Sequence, residues 1–281
     1  MQNQRVHKLD LYRLAVQHPQ AEVMFLLRAY AHYARLRGQP HVCATRLRED
    51  FAGTAAVAAT WVALHENHRA LAVESDYRTL RWALRRTQRD LGPRAGDLHL
   101  LFADVMTIDP PVAPRVEIVA ALNFSTFIYH DRATLRAYFQ LARRNLFPGG
   151  ILVLDAFGGP GAQRQMIQRR RVERLEGLQA SKPQAPSPSS SFTYLWEQRT
   201  FDAATNRIDC RIHFELPGRR KITNAFRYNW RLWSPVELCE LLREAGFTQA
   251  QIWADVGGPR YQPVAHLPLR EDFVAYIVGV R

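Results

Sequence analysis

Short apolar runs alternate with amphipathic stretches through the middle of the chain, and this alternation limits the possible folds more than any other feature of the sequence. The apolar runs have the length of strands and lie at 45–49, 70–74, 98–103, 116–122 and 151–155. Amphipathic stretches with helical periodicity lie between most of them, at 55–64, 76–90 and 132–146. Strands separated by helices are typical of right-handed βαβ crossovers, so the sequence predicts an open parallel sheet with helices on both faces.

The rest of the chain departs from this pattern. Residues 1–40 have helical periodicity and are predicted to form an N-terminal helical cap. Residues 161–191 are rich in arginine, proline and serine, which predicts a mobile basic insertion. Strand-like runs joined by turn residues within 192–232 predict an antiparallel sheet. A helix and two closing strands are predicted at 234–245, 249–254 and 273–280.

Net charge and cysteine content restrict the class of protein. The formal net charge of the 281 residues is +12, but all but three of the 38 basic residues are arginine. That skew is more typical of a compositional bias than of one binding surface. The cysteines Cys43, Cys210 and Cys239 form no C-x-x-C motif, so neither disulfides nor a metal site is predicted. Because the N-terminus is polar and no run of about 18 apolar residues occurs, we expect a cytoplasmic protein without a membrane span.

The clearest functional signal lies at the end of the first predicted strand. The stretch LREDFAGTA (47–55) leads directly into a helix, and a tight turn of small residues there brings main-chain N–H groups close to a ligand. Glu74 ends the second strand about twenty residues later, where such folds hold a ribose diol. Asp104 ends the third strand, where a carboxylate can accept from an exocyclic amine. Three strand ends at one sheet edge predict a pocket for an adenosine-like ligand.

From about residue 40 onward, the sequence resembles class I S-adenosylmethionine-dependent methyltransferases. The family's first loop reads acid-x-Gly-x-Gly-x-Gly, and its defining positions fall on Glu49, Phe51, Gly53 and Ala55, so two of the three glycines are replaced. Residues 148–150 (PGG) resemble the start of the family's fifth strand, and the last two predicted strands resemble its terminal pair. The resemblance implies an α/β fold with a Rossmann-like, doubly wound, seven-stranded sheet whose last strand is antiparallel, plus an antiparallel lid insertion.

The same resemblance implies a division of the chain into functional parts. Residues 41–160 and 233–281 are expected to form the methyltransferase core, after the helical cap at 1–40. The basic Pro/Ser-rich insertion at 161–191 is expected to precede an antiparallel lid at 192–232. This lid resembles the one that covers the acceptor in glycine- and sarcosine-type members of the family.

S-adenosylmethionine is the cofactor that the resemblance implies. Residues at the ends of the first four strands, with Tyr12 of the leading helix, are predicted to bind it: Tyr12, Glu49, Phe51, Ala52, Gly53, Ala55, Glu74, Ser75, Asp104, Val105, Asn123 and Phe124. The protein must align an acceptor lone pair with the methyl group and supply a base where the acceptor carries a proton. Tyr129 and His130 are the candidate base or orienting groups.

Candidate contacts to the acceptor lie in two places. Ser125 follows the fourth strand, where the family places residues beside the reactive methyl. In the lid, Tyr194, Arg211 and Arg227 belong to an alternation of aromatic and polar residues that predicts a pocket able to bind a carboxylate, although any half-buried sheet alternates in this way. The predicted function is methyl transfer to N or O of a small-molecule acceptor.

Two other functions stay open at the level of sequence. The basic surface suggests an RNA or protein methyltransferase, but residues 123–126 lack the Asn/Asp-Pro-Pro-aromatic block that base-modifying enzymes use to stack a flipped base. A nucleic-acid partner is therefore not expected, though not excluded. The replacement of a loop glycine by Phe51 suggests instead a non-catalytic module that binds S-adenosylmethionine.

Overall fold

Two separate sheets organise the part of the chain that the computed structural model describes, which comprises residues 6–110, 112–173, 191–257, 261–268 and 270–281. Each sheet belongs to its own compact unit. The core unit consists of His18–Gly159 and Leu232–Arg281, and the insert unit consists of Met1–Gln17 and Pro160–Arg231.

Strands and helices alternate through the first half of the core unit, as the sequence predicts. In chain order the strands of the described residues are β1 (Arg46–Glu49), β2 (Arg69–Glu74), β3 (Leu98–Phe102), β4 (Val116–Ala121), β5 (Leu146–Gly158), β6 (Met166–Glu173), β7 (Ser191–Asp202), β8 (Arg207–Glu215), β9 (Lys221–Arg231), β10 (Gln249–Ala254), β11 (Gln262–Val264) and β12 (Phe273–Val280). The α-helices are α1 (Lys8–Ala15), α2 (Pro19–Leu36), α3 (Ala56–Leu64), α4 (Tyr77–Leu91), α5 (Arg132–Arg144) and α6 (Pro235–Glu244).

The core unit is built on a mixed sheet with the strand order β11-β10-β12-β5-β4-β1-β2-β3. Strands β1 to β5 pair in parallel, and β12 lies antiparallel between β5 and β10. These pairings confirm the predicted α/β fold with a reversed last strand. The short strand β11 was not predicted and extends the described sheet to eight strands.

Helices enclose this sheet in two groups and are fixed by side-chain caps. Helix α3 packs against both α2 and α4, and α5 packs against α6. Asp76 accepts the Thr79 N–H at 2.6 Å to start α4, and Ser234 forms a capping box with Glu237 to start α6.

The strand order of the core sheet reverses between β1 and β4, because β2 and β3 lie on one side of β1 and β4 and β5 lie on the other. Ligands of such sheets bind beyond the strand carboxyl ends at this switch point.

The insert unit is an antiparallel sheet in the order β6-β7-β8-β9, with α1 packed on one face. Leu11 and Ala15 of α1 join a buried cluster with Phe192 and Phe214 of the sheet. The Lys8 Nζ donates to the Ala225 carbonyl at 3.0 Å. Strands β7, β8 and β9 confirm the predicted antiparallel runs.

Strand β6 corrects the prediction that residues 161–191 form a mobile insertion. Its sequence includes the arginines 169–171, and Val172 is its buried residue, so an apolar alternation is hard to detect. An exposed, charged strand is typical of a sheet edge, where it discourages pairing with another chain. Residues 174–190, which include nearly all of the Pro/Ser-rich run, lie outside the described residues.

The helical N-terminal region divides between the two units, rather than forming the single cap predicted for residues 1–40. Helix α1 belongs to the insert unit, and α2 belongs to the core unit. Pro19 occupies the first turn of α2, where its missing N–H is harmless, but its ring prevents α1 from continuing through it. No helix in the described ranges is both long and apolar enough to cross a membrane.

Candidate active site

The turn after β1 keeps a glycine-like backbone, although two of its three expected glycines are absent. The φ angle is +54° at Phe51, +52° at Gly53 and +53° at Ala55. This left-handed conformation costs a non-glycine residue about 1–2 kcal/mol. A Cβ atom added to Gly53 would meet, among described atoms within 4 Å, only the Phe51 carbonyl oxygen at 3.9 Å. The centre of the turn is therefore open to close approach by a ligand.

The Phe51 side chain packs on aromatic rings of the core unit. Its ring centroid lies 5.5 Å from that of Tyr138 and 6.1 Å from that of Tyr129. Aromatic pairs of this kind contribute about 0.5–1.5 kcal/mol beyond the area they bury. These contacts offset the backbone strain at Phe51 and explain how a bulky residue is accommodated at a glycine position.

A fully buried ion pair lies next to the turn. The Arg48 Nη2 lies 2.8 Å from the Asp50 Oδ2, and both side chains have 0% exposure. The Tyr138 hydroxyl donates to the same carboxylate at 2.8 Å. The Asp50 N–H donates to the Ala120 carbonyl of β4 at 2.8 Å. This network fixes the start of the turn to the neighbouring strand and to α5.

Glu49 ends β1 and is 4% exposed. Its Oε2 accepts the Ala58 N–H at 2.8 Å in the first turn of α3, whose N-cap residue Ala55 has no capping side chain. Burial raises the pKa of Glu49 to about 8, against the opposing effect of this hydrogen bond. Glu49 therefore supports the helix that follows the turn, in addition to its predicted cofactor role.

Glu74 ends β2 and joins that strand to the turn. Its Oε2 accepts the Gly53 N–H at 2.8 Å, and its Oε1 accepts the Asp76 N–H at 2.7 Å. The Ala52 N–H also donates to the Val73 carbonyl at 2.8 Å. Each carboxylate oxygen keeps a further acceptor position. The adjacent Ser75 is exposed.

Asp104 follows β3 and is exposed, while the neighbouring Val105 is buried. The Asp104 Oδ1 accepts the Met106 N–H at 2.9 Å. Glu74 lies opposite Phe102 in the β2–β3 register, and Glu49 lies opposite Ala72 in the β1–β2 register. The three predicted acids are thus brought to the same edge of the core sheet.

The turn after β4 has two consecutive left-handed residues, Asn123 and Phe124, each with φ of +59°. The Asp155 carboxylate of β5 accepts both of their N–H groups, at 2.9 and 2.7 Å. Burial raises the pKa of Asp155 to about 7. The hydroxyl of Ser125 donates to the Leu122 carbonyl at 2.6 Å. Asp155 was missed as a site residue, although an acid that follows a run of buried apolar residues is a detectable signal.

Tyr129 and His130 lie just beyond this turn. Burial, followed by the nearby carboxylates Asp104 and Asp50, raises the pKa of Tyr129 well above its usual value. Its phenol is therefore protonated at neutral pH and suits an orienting role better than that of a base. His130 precedes α5, which is capped by Asp131 through its bond to the Thr134 N–H at 2.7 Å, so His130 is not the capping residue.

The structure separates the predicted lid residues onto two faces of the insert sheet. Tyr194 lies opposite Phe214, whereas Arg211 lies opposite both Glu197 and Arg227. Directly opposite residues share a face, and positions an odd number apart on one strand point to opposite faces. The sequence suggested that Tyr194, Arg211 and Arg227 line one pocket. Because Tyr194 lies on the opposite face from the two arginines, that prediction is wrong for Tyr194.

The two arginines do line a common cavity within the insert unit, of about 550 Å³. Tyr194 instead packs, on the other face, against the cluster that includes Leu11 of α1. Tyr12 also lies in this cluster, with its ring centroid 4.8 Å from that of Phe226. Its predicted role at the cofactor stays a prediction.

The fold is similar to that of solved methyltransferases. No protein-family model matches the chain, and no curated protein matches its sequence at a significant level. A methyltransferase of Streptomyces caelestis superposes with a TM-score of 0.64 at 17% identity, over 94% of this chain and 96% of that one. A sugar N-methyltransferase of Streptoalloteichus gives a TM-score of 0.64 at 20% identity, over 96% and 91%. An amino pentose methyltransferase of Micromonospora echinaspora, solved with S-adenosylmethionine bound, gives 0.63 at 16% identity, over 97% and 95%.

At these identities the likeness establishes a shared fold, which is the one that the sequence resemblance implied. Among the described residues, no group of three or more His, Cys, Asp or Glu side chains is arranged to hold a metal ion.

Proposed function

We propose, from the methyltransferase fold and the geometry of the β1 turn, that the chain is an S-adenosylmethionine-dependent methyltransferase acting on N or O of a small-molecule acceptor. The left-handed backbone at Phe51, Gly53 and Ala55 carries this proposal. Two of these residues are not glycine, and strained conformations of this kind persist mainly where a functional site requires them.

The strand ends offer suitable partners for each part of the cofactor. The open centre of the turn at Gly53 suits close approach to the backbone. Glu74 has acceptor positions left for ribose hydroxyls, and Asp104 can accept from an adenine amine. The Asn123–Phe124 turn at the end of β4 lies on the other side of the switch point. When bound, S-adenosylmethionine would supply an electrophilic methyl group for transfer to a lone pair of the acceptor.

The residues beyond β4 would then orient the acceptor and remove its proton. A protonated Tyr129 can donate a hydrogen bond that orients the acceptor, but it cannot remove a proton from it at neutral pH. His130 is the candidate base, because an ammonium acceptor must lose a proton before its lone pair can attack.

A small acceptor agrees with two structural neighbours, which act on a sugar and on an amino pentose. In the insert unit, Arg211 and Arg227 line one cavity and could hold an acidic group of a small ligand. Arg211 is partly engaged, since its Nη1 donates to the Asn224 Oδ1 at 3.1 Å.

Isothermal titration with S-adenosylmethionine tests the first half of the proposal. Glu74→Ala is expected to weaken binding about 10- to 150-fold, because it removes hydrogen bonds with a combined value of roughly 1.5–3 kcal/mol. Glu117→Ala is a matched control: the Glu117 Oε2 also accepts backbone N–H groups, of Thr45 and Arg46, but at the amino-terminal end of β1. No binding by the unmodified protein, or equal losses in both variants, would contradict the proposal.

Turnover tests the second half. Formation of S-adenosylhomocysteine is expected with at least one member of a panel of small amines, amino sugars and phenols. Tight donor binding without turnover across the panel would favour a non-catalytic binding module.

A further inference from the structure

Helix α2 places in the core unit a buried carboxyl group with one unpartnered oxygen; a backbone hydrogen bond from His18 acts on the same carboxyl group. Glu22 lies in the first turn of α2 and is 9% exposed. Its Oε2 is buried and has no hydrogen-bond partner among the described residues. Burying an ionisable group without compensation is costly, and a native protein with such a group calls for a specific explanation.

The strand register shows what Glu22 faces. Tyr276 of β12 lies opposite Asp155 of β5, so these two side chains share a face of the sheet. Phe25 of α2 stacks on Tyr276, with 3.9 Å between ring centroids. Because Glu22 lies about one helical turn before Phe25, α2 presents it to the face that carries Asp155.

Glu49 lies on the same face. It pairs with Ala120 of β4, which pairs with Val153 of β5, and Val153 and Asp155 are alternate residues of one strand. Glu22, Glu49 and Asp155, here termed the carboxyl cluster, therefore lie on or against one face of the sheet, on α2, β1 and β5 respectively. They lie beside the β1–β4 switch point.

The carboxyl cluster lacks a counter-charge within the described residues, since no Lys, Arg or His there forms an ion pair with any of its members. Burial, and then the charge of Asp155, raise the pKa of Glu22 to about 7. The Glu49 carboxyl group accepts a hydrogen bond from a backbone N–H of α3. The Asp155 carboxyl group accepts two from the turn after β4. Glu22 is thus the member with an oxygen available to a ligand.

We propose that the Glu22 carboxylate binds the ammonium group of the methionine part of the methyl donor. This inference rests on the proposed function. The ammonium supplies the positive charge that the carboxyl cluster lacks, and one of its N–H groups donates to the Glu22 Oε2. The donor is thereby held at the switch point by a helix that precedes the sheet, in addition to the strand-end residues. Glu22 is then a cofactor-binding residue rather than a member of the buried core.

Three ligands separate this role from the alternatives when their dissociation constants are measured by titration calorimetry at pH 8. S-adenosylmethionine has an ammonium and a sulfonium, S-adenosylhomocysteine has the ammonium alone, and methylthioadenosine has neither. Glu22→Gln is expected to weaken the first two about 10- to 100-fold and to change methylthioadenosine binding less than twofold. Glu240→Gln, at an exposed carboxyl of α6, controls for the loss of one negative charge.

The thermal midpoint of the ligand-free protein provides a second readout. Removal of an uncompensated buried charge is expected to leave the Glu22→Gln midpoint unchanged or to raise it, whereas a core-stabilising carboxyl would lower it. Glu22→Met, of similar size and uncharged, is expected to show the same selective loss and serves if the amide variant folds poorly.

Several outcomes would overturn the assignment. Equal weakening of all three ligands would indicate a general structural effect, and loss confined to S-adenosylmethionine would indicate the sulfonium as the partner. Unchanged affinities with a reduced turnover number would place Glu22 at the acceptor instead. If the unmodified protein binds none of the three ligands, the proposed function itself fails, which is a distinguishable result.

Discussion

Carboxyl groups of the insert sheet and those of the carboxyl cluster in the core unit have opposite surroundings. In the insert unit, the Glu197 Oε2 lies 3.0 Å from the His213 Nε2, and Glu215 pairs with Arg169 and with Lys221. In the core unit, the carboxyl cluster is buried and has no cationic partner among the described residues. These insert-unit carboxyl groups have partners within their own sheet, whereas the carboxyl cluster leaves an acidic group that a cationic ligand can satisfy.

The Arg48–Asp50 pair shows that the core unit can also neutralise a buried acid. It lies beside the same turn, with both side chains at 0% exposure. This pair and the carboxyl cluster are therefore both buried. They differ because Asp50 has a cationic partner, whereas the cluster has none among the described residues. Four predictions, taken from the largest expected effect to the smallest, test this contrast and the backbone strain beside it.

Arg48→Met is expected to have the largest effect, a loss of about 3–5 kcal/mol in the free energy of unfolding, because it leaves Asp50 charged and buried without its partner. Urea denaturation measures it. Arg199→Met in the insert unit is the control, since Arg199 is 42% exposed in its pairs with Glu197 and Asp209, and we expect less than about 1 kcal/mol.

The double variant Arg48→Met/Asp50→Asn checks the cause. Removal of both charges is expected to recover a large part of the lost stability. If the double variant is as unstable as Arg48→Met, the packing of the arginine rather than its charge sustains the fold.

The pH dependence of stability is expected to reveal the carboxyl cluster. Its members have pKa values raised by burial to about 7 or 8, above those of the unfolded chain. The folded state therefore holds more protons, and stability that is present below about pH 4.5 declines as the pH rises through 7 to 8. One pKa unit corresponds to about 1.4 kcal/mol, so even the shift of a single member is expected to produce a measurable decline.

Denaturation of the ligand-free protein between pH 5 and 8.5 measures this decline. Glu49→Gln should reduce it most, since burial raises the pKa of Glu49 furthest, to about 8. Glu215→Gln in the insert unit, where the carboxylate pairs with Arg169 and Lys221 rather than with a histidine, should not change it. Stability that rises over this range would refute the account of an uncompensated cluster.

Glycine substitutions in the β1 turn test backbone strain separately from charge. Ala52→Gly, at a buried residue without positive φ, is expected to cost about 1–2 kcal/mol through lost burial and greater chain entropy. Ala55→Gly is expected to cost close to nothing, because relief of the left-handed strain offsets the lost methyl group. Equal losses in the two variants would argue against strain at Ala55.

A small effect is also expected at an exposed pair of the insert unit. Lys221→Met removes a side chain that is 62% exposed, 3.2 Å from Glu215. We expect a change of about 0.5 kcal/mol or less in unfolding free energy. A loss comparable to that of Arg48→Met would remove the distinction between the units.

Much of the core fold could be predicted because its signals are local. An apolar run, a turn of small residues and an acid at the strand end lie close together in the sequence for β1, and the same holds for Glu74 after β2. The consequence that Glu49, Glu74 and Asp104 meet at one edge follows from parallel pairing alone.

Other features could not be predicted because they depend on how strands pair or because the local sequence hides them. The opposite faces of Tyr194 and Arg211 follow from the hairpin register, which the turns set. Strand β6 escaped detection because consecutive arginines mask its alternation. Glu22 did leave a signal, since it is four and seven residues from the buried Leu26 and Ala29 and so lies on the buried face of α2.

The pairing of α1 with the sheet of the insert unit has a consequence for biosynthesis. The bond from Lys8 to Ala225 joins residues 217 positions apart, so α1 leaves the ribosome long before β9 exists. At about 5–20 residues per second, the delay is roughly 10–40 s. During that interval, Leu11 and Ala15 lack the strand residues with which they are buried, and a chaperone that shields this short helix would have its main opportunity to act before residue 231 is made.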